Sequence, residues 1–283
     1  NDKKRIIELA KNLKARQEKS DNPEILPKVT KEDIPKSREY AKSQSFEDDN
    51  KNFYYKVGTN GITYHSIILP CDPLTQDEFK IASLFTNTLT DVGIGDKSYE
   101  DIQKIQSAVT GGISASFTLI PNENQSAHSL GLKITSKSLE ENENKMQDLM
   151  IDTAKNSNFS DKNRIKDMLN FISSDNEKSL IQNGHVLSMS NAAAQINNIS
   201  STNDFASGLN FITNTNSLSK NIEKDSNLDQ YIEILNSIKN KICPIPSYSF
   251  TASSLNLDQS QINFSFDNQD NAFNVQNYFD IQQ

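Results

Sequence analysis

The residues with the strongest metal-binding and nucleophilic chemistry are three histidines and two cysteines, and the sequence keeps them apart. His65, His128 and His185 each stand without a second His or Cys at ligand spacing. A zinc site on a helix needs two histidines one turn apart, as in H-x-x-E-H, so that both imidazoles reach one ion. The sequence has no such motif, and we assign it no metal ligand and no catalytic residue.

The two cysteines and the glycine-containing motifs point to no reaction either. Cys71 and Cys243 lie far apart in the sequence, which favours two inert buried thiols in a reducing compartment over a disulfide framework. The chain contains no G-x-S-x-G motif, no P-loop and no dinucleotide fingerprint. Gly93 and Gly95 are interpreted as a helix stop. A functional site therefore has to be sought in the surfaces that the folded backbone forms, since the sequence shows no catalytic motif.

Three predicted strands frame the first half of the chain. The apolar and β-branched run Ile62–Leu69 follows Asn60-Gly61, a pair that supplies the positive φ angles of a tight turn. Pro70 is expected to end this strand, because proline cannot donate to a ladder. Ile113–Ile120 and His128–Lys137 also have the pattern of strands, with a proline and two asparagines in the turn between them.

Helices are predicted between and after these strands. Thr75 with Glu78 and Ser98 with Asp101 each have the spacing of a capping box, in which the two residues satisfy free backbone N–H groups at a helix start. Apolar residues then recur every three or four positions, as a buried helix face requires. Further helix starts and a last pair of strands follow, at Ser138, Asp161 and Ser226 and at Tyr248–Ala252 and Ile262–Phe266.

This order of elements predicts an α+β fold, with an antiparallel sheet and helices packed mainly on one face. Residues 1–46 are predicted to be a helical arm, since the amphipathic run Asp2–Lys19 is followed by a polar segment interrupted by prolines. Residues 47–283 are predicted to form the α+β domain. The chain is long enough for this domain to bury a core of its own.

Three stretches of this sequence resemble one family. The turn and strand Thr59–Tyr64, the glycine pair and strand start Thr110–Ser114, and the Ala-rich segment Ser190–Ala194 are similar to the third domain of presequence-protease-type enzymes. These enzymes are a branch of the pitrilysin/insulinase superfamily of zinc metallopeptidases. Leu13–Glu18 and Ile34-Pro35 resemble the helical linker that joins the two halves of such enzymes. The resemblance is weakest after Cys243.

The resemblance implies that the chain is a non-catalytic piece of a larger zinc metalloendopeptidase that degrades short unfolded peptides. Zinc is then expected in the missing N-terminal half, and this segment holds no cofactor. The implied partners are that catalytic half, the fourth domain of the same chain, and peptide substrates in an enclosed chamber. By analogy with the catalytic domain, the backbone of six residues would line the chamber, namely Gly112, Ile113, Ser114, Ala115, Ser116 and Phe117.

Three other interpretations stay open at this point. In the first, residues 112–117 form an ordinary internal strand that serves packing alone. In the second, the chain is a degenerate superfamily member that acts by itself as a peptide-binding or scaffold protein. An ordinary α+β domain without such a role is the plainest alternative. An upstream H-x-x-E-H motif in the reading frame would favour the enzyme interpretation.

Charge and composition exclude some partners. The net charge is -8 and the isoelectric point is about 5.0, which argues against binding to nucleic acid. No Lys or Arg follows Lys241, whereas four aspartates do. No apolar run approaches the ~18 residues of a membrane helix, so we expect no contact with a membrane. A bacterial cytoplasmic protein is expected, and the mitochondrial matrix or a plastid is the alternative if the source is eukaryotic.

Overall fold

The computed structural model describes residues 2–20, 22, 26–37, 40–45, 52–121, 128–196, 198–222 and 225–254. It divides into two units, Asn1–Tyr40 and Ala41–Gln283. The division after residue 46 that the sequence suggests stays a prediction. The predicted strand around Ile262–Phe266 lies outside the described residues, as do residues 122–124 of the predicted turn.

The first unit contains the predicted helix, α1 (Asp2–Glu18), and a 3-10 turn, Lys31–Asp33. The turn is capped by Thr30, whose N–H donates to Asp33 Oδ2 at 2.8 Å. The apolar residues Ile6, Leu9 and Leu13 of α1 are exposed. A helix with this pattern offers an apolar stripe on a charged background.

The second unit contains the α+β domain. Its strands are β1 (Gln44–Ser45), β2 (Asn52–Lys56), β3 (Ile62–Cys71), β4 (Gly93–Ile94), β5 (Ile113–Pro121), β6 (His128–Leu139), β7 (Ser157–Asn158) and β8 (Tyr248–Ser253). Its helices are α2 (Gln76–Leu89), α3 (Tyr99–Val109), α4 (Glu143–Asn156), α5 (Lys162–Ala194), α6 (Asn198–Ser207), α7 (Leu209–Asn221) and α8 (Asp225–Asn240). The predicted fold class is confirmed.

Six strands within the described residues make the main sheet, in the order β1-β2-β8-β3-β6-β5, and β4 pairs with β7. The sheet is mixed, because β2 runs parallel to β8 while the other neighbours are antiparallel. The prediction of a purely antiparallel sheet was wrong in this respect. Sequence analysis did not foresee β2, so the parallel pair that it forms was missed as well.

The predicted turn before β3 is confirmed. Asn60 and Gly61 have φ angles of 55° and 80°, and the Ile62 N–H donates to Thr59 O at 3.3 Å, as in a type I′ turn. The expected end at Pro70 was wrong, because β3 continues to Cys71. Pro70 O accepts from the Cys243 N–H at 2.8 Å, so the side of Pro70 that lacks a donor faces away from β6, and the ladder to β6 is kept.

The helix starts are confirmed in part. Thr75 caps α2 with the full capping box, and Ser98 accepts from the Asp101 N–H at the start of α3. Asp161 caps α5 in the same way. The predicted cap at Ser138 was wrong, because β6 pairs with β3 as far as Leu139 and holds Ser138 in the ladder. The helix there begins after a 3-10 turn at Glu140–Asn142.

The core lies between one face of the sheet and the helices. Alternate residues of β3 and β6 point into it, and Ile67, Leu132 and Ile134 are fully buried there with Phe85 of α2 and Met146 of α4. The opposite face of the sheet carries exposed side chains, among them those of Tyr64, Ser114, Ser116 and Lys137. The predicted packing of helices mainly on one face follows from this alternation.

Helix α5 is the longest element of the described residues, with 33 residues. The sequence predicts one helix from Asp161 onward, and the Ala-rich segment around Ser190–Ala194 is typical of a second, separate helix. The structure joins them across Asn183, whose φ and ψ of -115° and 18° interrupt the regular helix. Ile165, Met168 and Leu169 near its start pack on the core, as does Leu187 beyond the break, whereas Ile181 and Met189 are exposed.

Candidate functional site

The predicted chamber-lining residues, Gly112–Phe117, begin strand β5 at one edge of the sheet. Within the described residues, β5 pairs with β6 alone, and its second side has no strand partner. An edge strand presents a row of N–H and C=O groups that another extended chain can pair with. The chamber-lining role of residues 112–117 and the alternative in which they serve packing alone both stay predictions.

The register shows which backbone groups face outward. Lys137 O accepts the Gly111 N–H at 2.7 Å, so the backbone of Lys137 faces β5. Counting in twos along the antiparallel register, Ser114 and Ser116 turn their N–H and C=O groups toward β6. The residues between and beside them, Ile113, Ala115 and Phe117, turn theirs toward the open side.

The side chains of this segment alternate between two surroundings. Ser114 and Ser116 are exposed on the helix-free face, where Ser114 Oγ lies 2.6 Å from Thr135 Oγ1. Ile113, Ala115 and Phe117 are half-buried on the helix side, and the Phe117 ring lies 6.1 Å from the Phe85 ring. The strand is thus held by β6 and by the core, while its outer backbone groups have no strand partner in the part of the chain that the structure describes.

A groove of about 830 Å³ lies beside the first residues of β5. Ile113, Ser114 and Ala115 line it from the strand, and the C-terminal end of α2, with α3 and α7, contributes the rest of the floor and rim. The wall opposite is one face of α5, whose lining residues are Arg164, Asp167, Met168, Phe171, Ile172, Asp175 and Asn176. Phe171 is 72% exposed, which is unusual for so large an apolar side chain.

The charges of the groove are mostly acidic. Asp91, Asp167 and Asp175 line it against one cation, Arg164, within the described residues. The Arg164 guanidinium is already engaged, since Nε donates to Asp91 O at 3.0 Å and the group stacks 4.2 Å from the centre of the Tyr99 ring. Asp167 and Asp175 are exposed on the α5 wall and have no ion-pair partner among the described residues. The groove is therefore suited to a ligand that carries positive charge.

The histidines and cysteines contribute no metal site in the part of the chain that the structure describes. No cluster of three His, Cys, Asp or Glu side chains that could hold an ion occurs among those residues. His65 is buried in the sheet with Nδ1 2.8 Å from Thr251 Oγ1, and burial lowers its pKa to about 4. His185 lies exposed on α5. These surroundings do not fit a zinc site.

The surroundings of the two cysteines also fit a structural role. Cys71 and Cys243 form no disulfide, and burial together with the nearby Asp72 carboxylate raises the pKa of the Cys71 thiol to about 12. A thiol with this pKa stays protonated and unreactive near neutral pH. None of the helices in the described ranges combines the length and the apolar character that a membrane span requires.

Sequence analysis placed the β5 segment but missed the α5 wall. The wall residues Arg164, Asp167, Phe171 and Asp175 recur at three- and four-residue spacing, a signal of one helix face that the sequence does show. Core residues such as Ile165 and Leu169 occupy the neighbouring face, and the prediction of this helix was based on such apolar residues. That the wall stands opposite β5 depends on tertiary packing, which spacing alone does not reveal.

Comparison with known proteins identifies the family of this chain. A family model for a region associated with peptidases of family M16, subfamily C, matches residues 1–218. The chain belongs to this peptidase-associated family. The matched region includes α1, strands β1 to β7 and most of the helices, and therefore both sides of the groove.

Relatives of the peptidase-associated chain are presequence proteases. It is 27% identical over 205 residues to the mitochondrial presequence protease of Yarrowia lipolytica, covering 72% of this chain and 21% of the relative. It is 26% identical over 194 residues to the mitochondrial presequence protease of Drosophila melanogaster, covering 68% of this chain and 19% of the relative. The chain spans about a fifth of the length of these relatives. The predicted resemblance to presequence-protease-type enzymes is confirmed.

Two solved structures overlap with part of the peptidase-associated fold. A conserved protein from Enterococcus faecalis V583 has a TM-score of 0.46 and 8% identity, covering 76% of this chain and 50% of that chain. The periplasmic protease PqqL from Escherichia coli has a TM-score of 0.40 and 11% identity, covering 72% of this chain and 20% of that chain.

Proposed function

We propose that this chain is the non-catalytic domain of a larger zinc metalloendopeptidase, in which it forms part of the wall of a chamber that encloses short unfolded peptides. The proposal is supported by membership of the peptidase-associated family and by relatives that are presequence proteases about three and a half times as long. Zinc and the catalytic residues would then belong to the half that precedes this chain. The fourth domain would follow it.

The structural observation that carries the proposal is the open edge of β5. Outward backbone groups at Ile113, Ala115 and Phe117 are what an extended peptide needs in order to pair with a wall of the chamber. The exposed apolar stripe of α1 in the other unit is consistent with a linker whose partner lies elsewhere in the parent chain. The names of the relatives favour the mitochondrial alternative over the bacterial cytoplasm.

Complementation tests this function directly. This chain and the half that precedes it in the reading frame would be produced together and separately, with zinc, and assayed on a fluorogenic peptide. We expect hydrolysis when both are present and little or none with either alone. Full activity of the preceding half alone would remove the chamber role. A reading frame without an upstream H-x-x-E-H motif would instead favour the stand-alone peptide-binding or scaffold protein.

A further inference from the structure

We propose that the groove between β5 and α5 binds an extended peptide that pairs with β5 as an additional strand and turns a basic, an apolar and a basic side chain, at every second residue, toward α5. The inference rests on the proposed function for the source of such peptides. It goes further in assigning a site, a binding mode and a ligand chemistry to this domain. The binding itself requires no proteolysis, so it is testable on this chain.

The edge of β5 has the geometry that pairing with a further strand requires. Outward N–H and C=O groups recur at every second residue from Ile113 to Phe117, and the groove lies along the first three residues of this segment. A peptide that pairs here gains main-chain hydrogen bonds whatever its sequence. The other side of β5 is fixed by β6, so the strand is already in the conformation that binding requires and little ordering has to be added on the protein side.

The length of the opposite wall suits a short peptide segment. Arg164 to Asn176 span twelve helical steps, which is about 18 Å at ~1.5 Å per residue. An extended peptide covers that distance with about five or six residues at ~3.3 Å each. Three of these would turn their side chains toward the wall, because side chains alternate along a strand. The groove is thus matched to a short stretch of unfolded chain.

The wall combines apolar and acidic side chains. Phe171 and Ile172 offer apolar surface, and Phe171 is largely exposed without a ligand. Asp167 and Asp175 flank this apolar centre on the same helix, eight residues apart, which is about 12 Å along the helix axis. A peptide with an apolar side chain between two lysines or arginines satisfies all three positions. The groove's excess of carboxylates disfavours an acidic peptide.

The same charges argue against the chain's own last segment as the occupant. Residues 255–283 contain four aspartates and no Lys or Arg, so they are repelled by the acidic wall. A second copy of this chain would pair through its own β5 edge and bring its own acidic wall close to the first. A cationic extended peptide is not repelled by the acidic wall and brings no second acidic wall with it.

The experiment measures peptide binding to the 283-residue chain by fluorescence anisotropy. The probe is a fluorescein-labelled decapeptide with Lys, Leu and Lys at every second residue and Ser between them, so that all three face the wall, and the comparison is the same peptide with Glu in place of Lys. We expect the Lys peptide to bind at least tenfold more tightly at low salt, and to weaken as salt is added. Equal binding of the two peptides, or no binding of the Lys peptide, would overturn the proposal.

Two changes separate the contributions of charge and backbone. The double variant D167N/D175N should weaken the Lys peptide about fivefold or more, since each exposed ion pair contributes a modest amount. The matched control D148N/D152N removes two exposed carboxylates of α4, outside the groove, and should change affinity less than twofold. An equal loss in both double variants would mean that only net charge matters, and the groove would be rejected.

The backbone test is A115P, which removes an outward N–H and leaves the ladder to β6 in place. We expect it to reduce binding at least tenfold, with an unchanged circular dichroism spectrum. If this variant does not fold, a Lys peptide with alternate N-methylated amides decides the matter on the native protein. Unchanged binding of the N-methylated peptide would exclude strand pairing.

The oligomeric state is measured in the same samples by light scattering. If A115P converts a dimer to a monomer and leaves peptide affinity unchanged, the occupant of the edge is a second copy, and the proposal is wrong. Failure of the complementation assay with intact peptide binding would remove the chamber role and keep the site. Successful complementation without peptide binding would keep the chamber role and remove the site.

Discussion

The carboxylate of Glu78 joins the start of α2 to the end of α8, and replacing it by glutamine tests how strongly these helices are held together. Glu78 Oε2 accepts from the Thr75 N–H at 2.6 Å and from Lys241 Nζ at 2.7 Å, and Oε1 accepts from Ser237 Oγ at 2.7 Å. Burial by itself raises the pKa of Glu78, but these hydrogen bonds together lower it from 4.5 to about 2.

The magnitude follows from this change in pKa. A fall from 4.5 to about 2 corresponds to about 3 kcal/mol in favour of the charged form, at ~1.4 kcal/mol per pKa unit. Because the pKa of Glu78 is lower in the folded than in the unfolded chain, this stabilisation is complete above about pH 5 and is lost as the pH falls toward 2. E78Q should therefore lower the free energy of unfolding by about 2–3 kcal/mol near neutral pH and by little near pH 2.

Urea denaturation followed by circular dichroism at a series of pH values measures this difference. The matched control is D101N, which alters the third residue of the α3 cap at an exposed site where Asp101 bonds Ser98 and Lys104. We expect this control to change the free energy of unfolding much less than E78Q does, because Asp101 is exposed to solvent. If wild type and E78Q lose stability in parallel as the pH falls, Glu78 does not stabilise the fold through its charge, and the assignment of the helix contact to it is wrong.

Three further predictions concern buried positions. Because burial lowers the pKa of His65 to about 4, protonation favours the unfolded chain, and the free energy of unfolding should fall by up to ~3 kcal/mol as the pH drops from about 6.5 to about 4; an NMR titration in which this ring protonates above pH 6 would contradict the assignment. G208A should destabilise the fold by about 2–3 kcal/mol in thermal denaturation, because its Cβ would lie 2.1 Å from Asp204 Oδ1 and 2.7 Å from Asp204 Cα. G184A is its control, since the added Cβ meets nothing within 4 Å and should be neutral or stabilising. Cys71 should react with a thiol reagent only after unfolding, and rapid labelling of the folded chain at this position would show that burial does not protect it.

The parts of the fold that were predictable are those that local chemistry fixes. The turn at Asn60-Gly61 needs two positive φ angles, and the caps at Thr75, Ser98 and Asp161 need a side-chain acceptor next to free N–H groups. These requirements appear in short stretches of sequence. The predicted turn and caps were confirmed because few other backbone conformations meet the same requirements.

The parts that were missed depend on distant neighbours. Ser138 has the spacing of a helix cap, yet β3 supplies a ladder partner that overrides this local signal. Pro70 was expected to end a strand, and its effect depends on which side of the strand the missing donor faces. The candidate site shows the same division. Its strand was predicted from the residue pattern and singled out by the resemblance, but the α5 wall was recognised only once packing placed it beside β5.

The insertion of β8 between β2 and β3 has a consequence for how the molecule is made. Tyr54 and Ser253, whose Oη and carbonyl oxygen are 3.3 Å apart, are separated by 199 residues of sequence. At a synthesis rate of ~5–20 residues per second, the ribosome needs about 10–40 s to reach the strand that lies between β2 and β3. Throughout that interval β2 and β3 each have an uncovered edge, and the nascent chain is expected to need shielding by a chaperone.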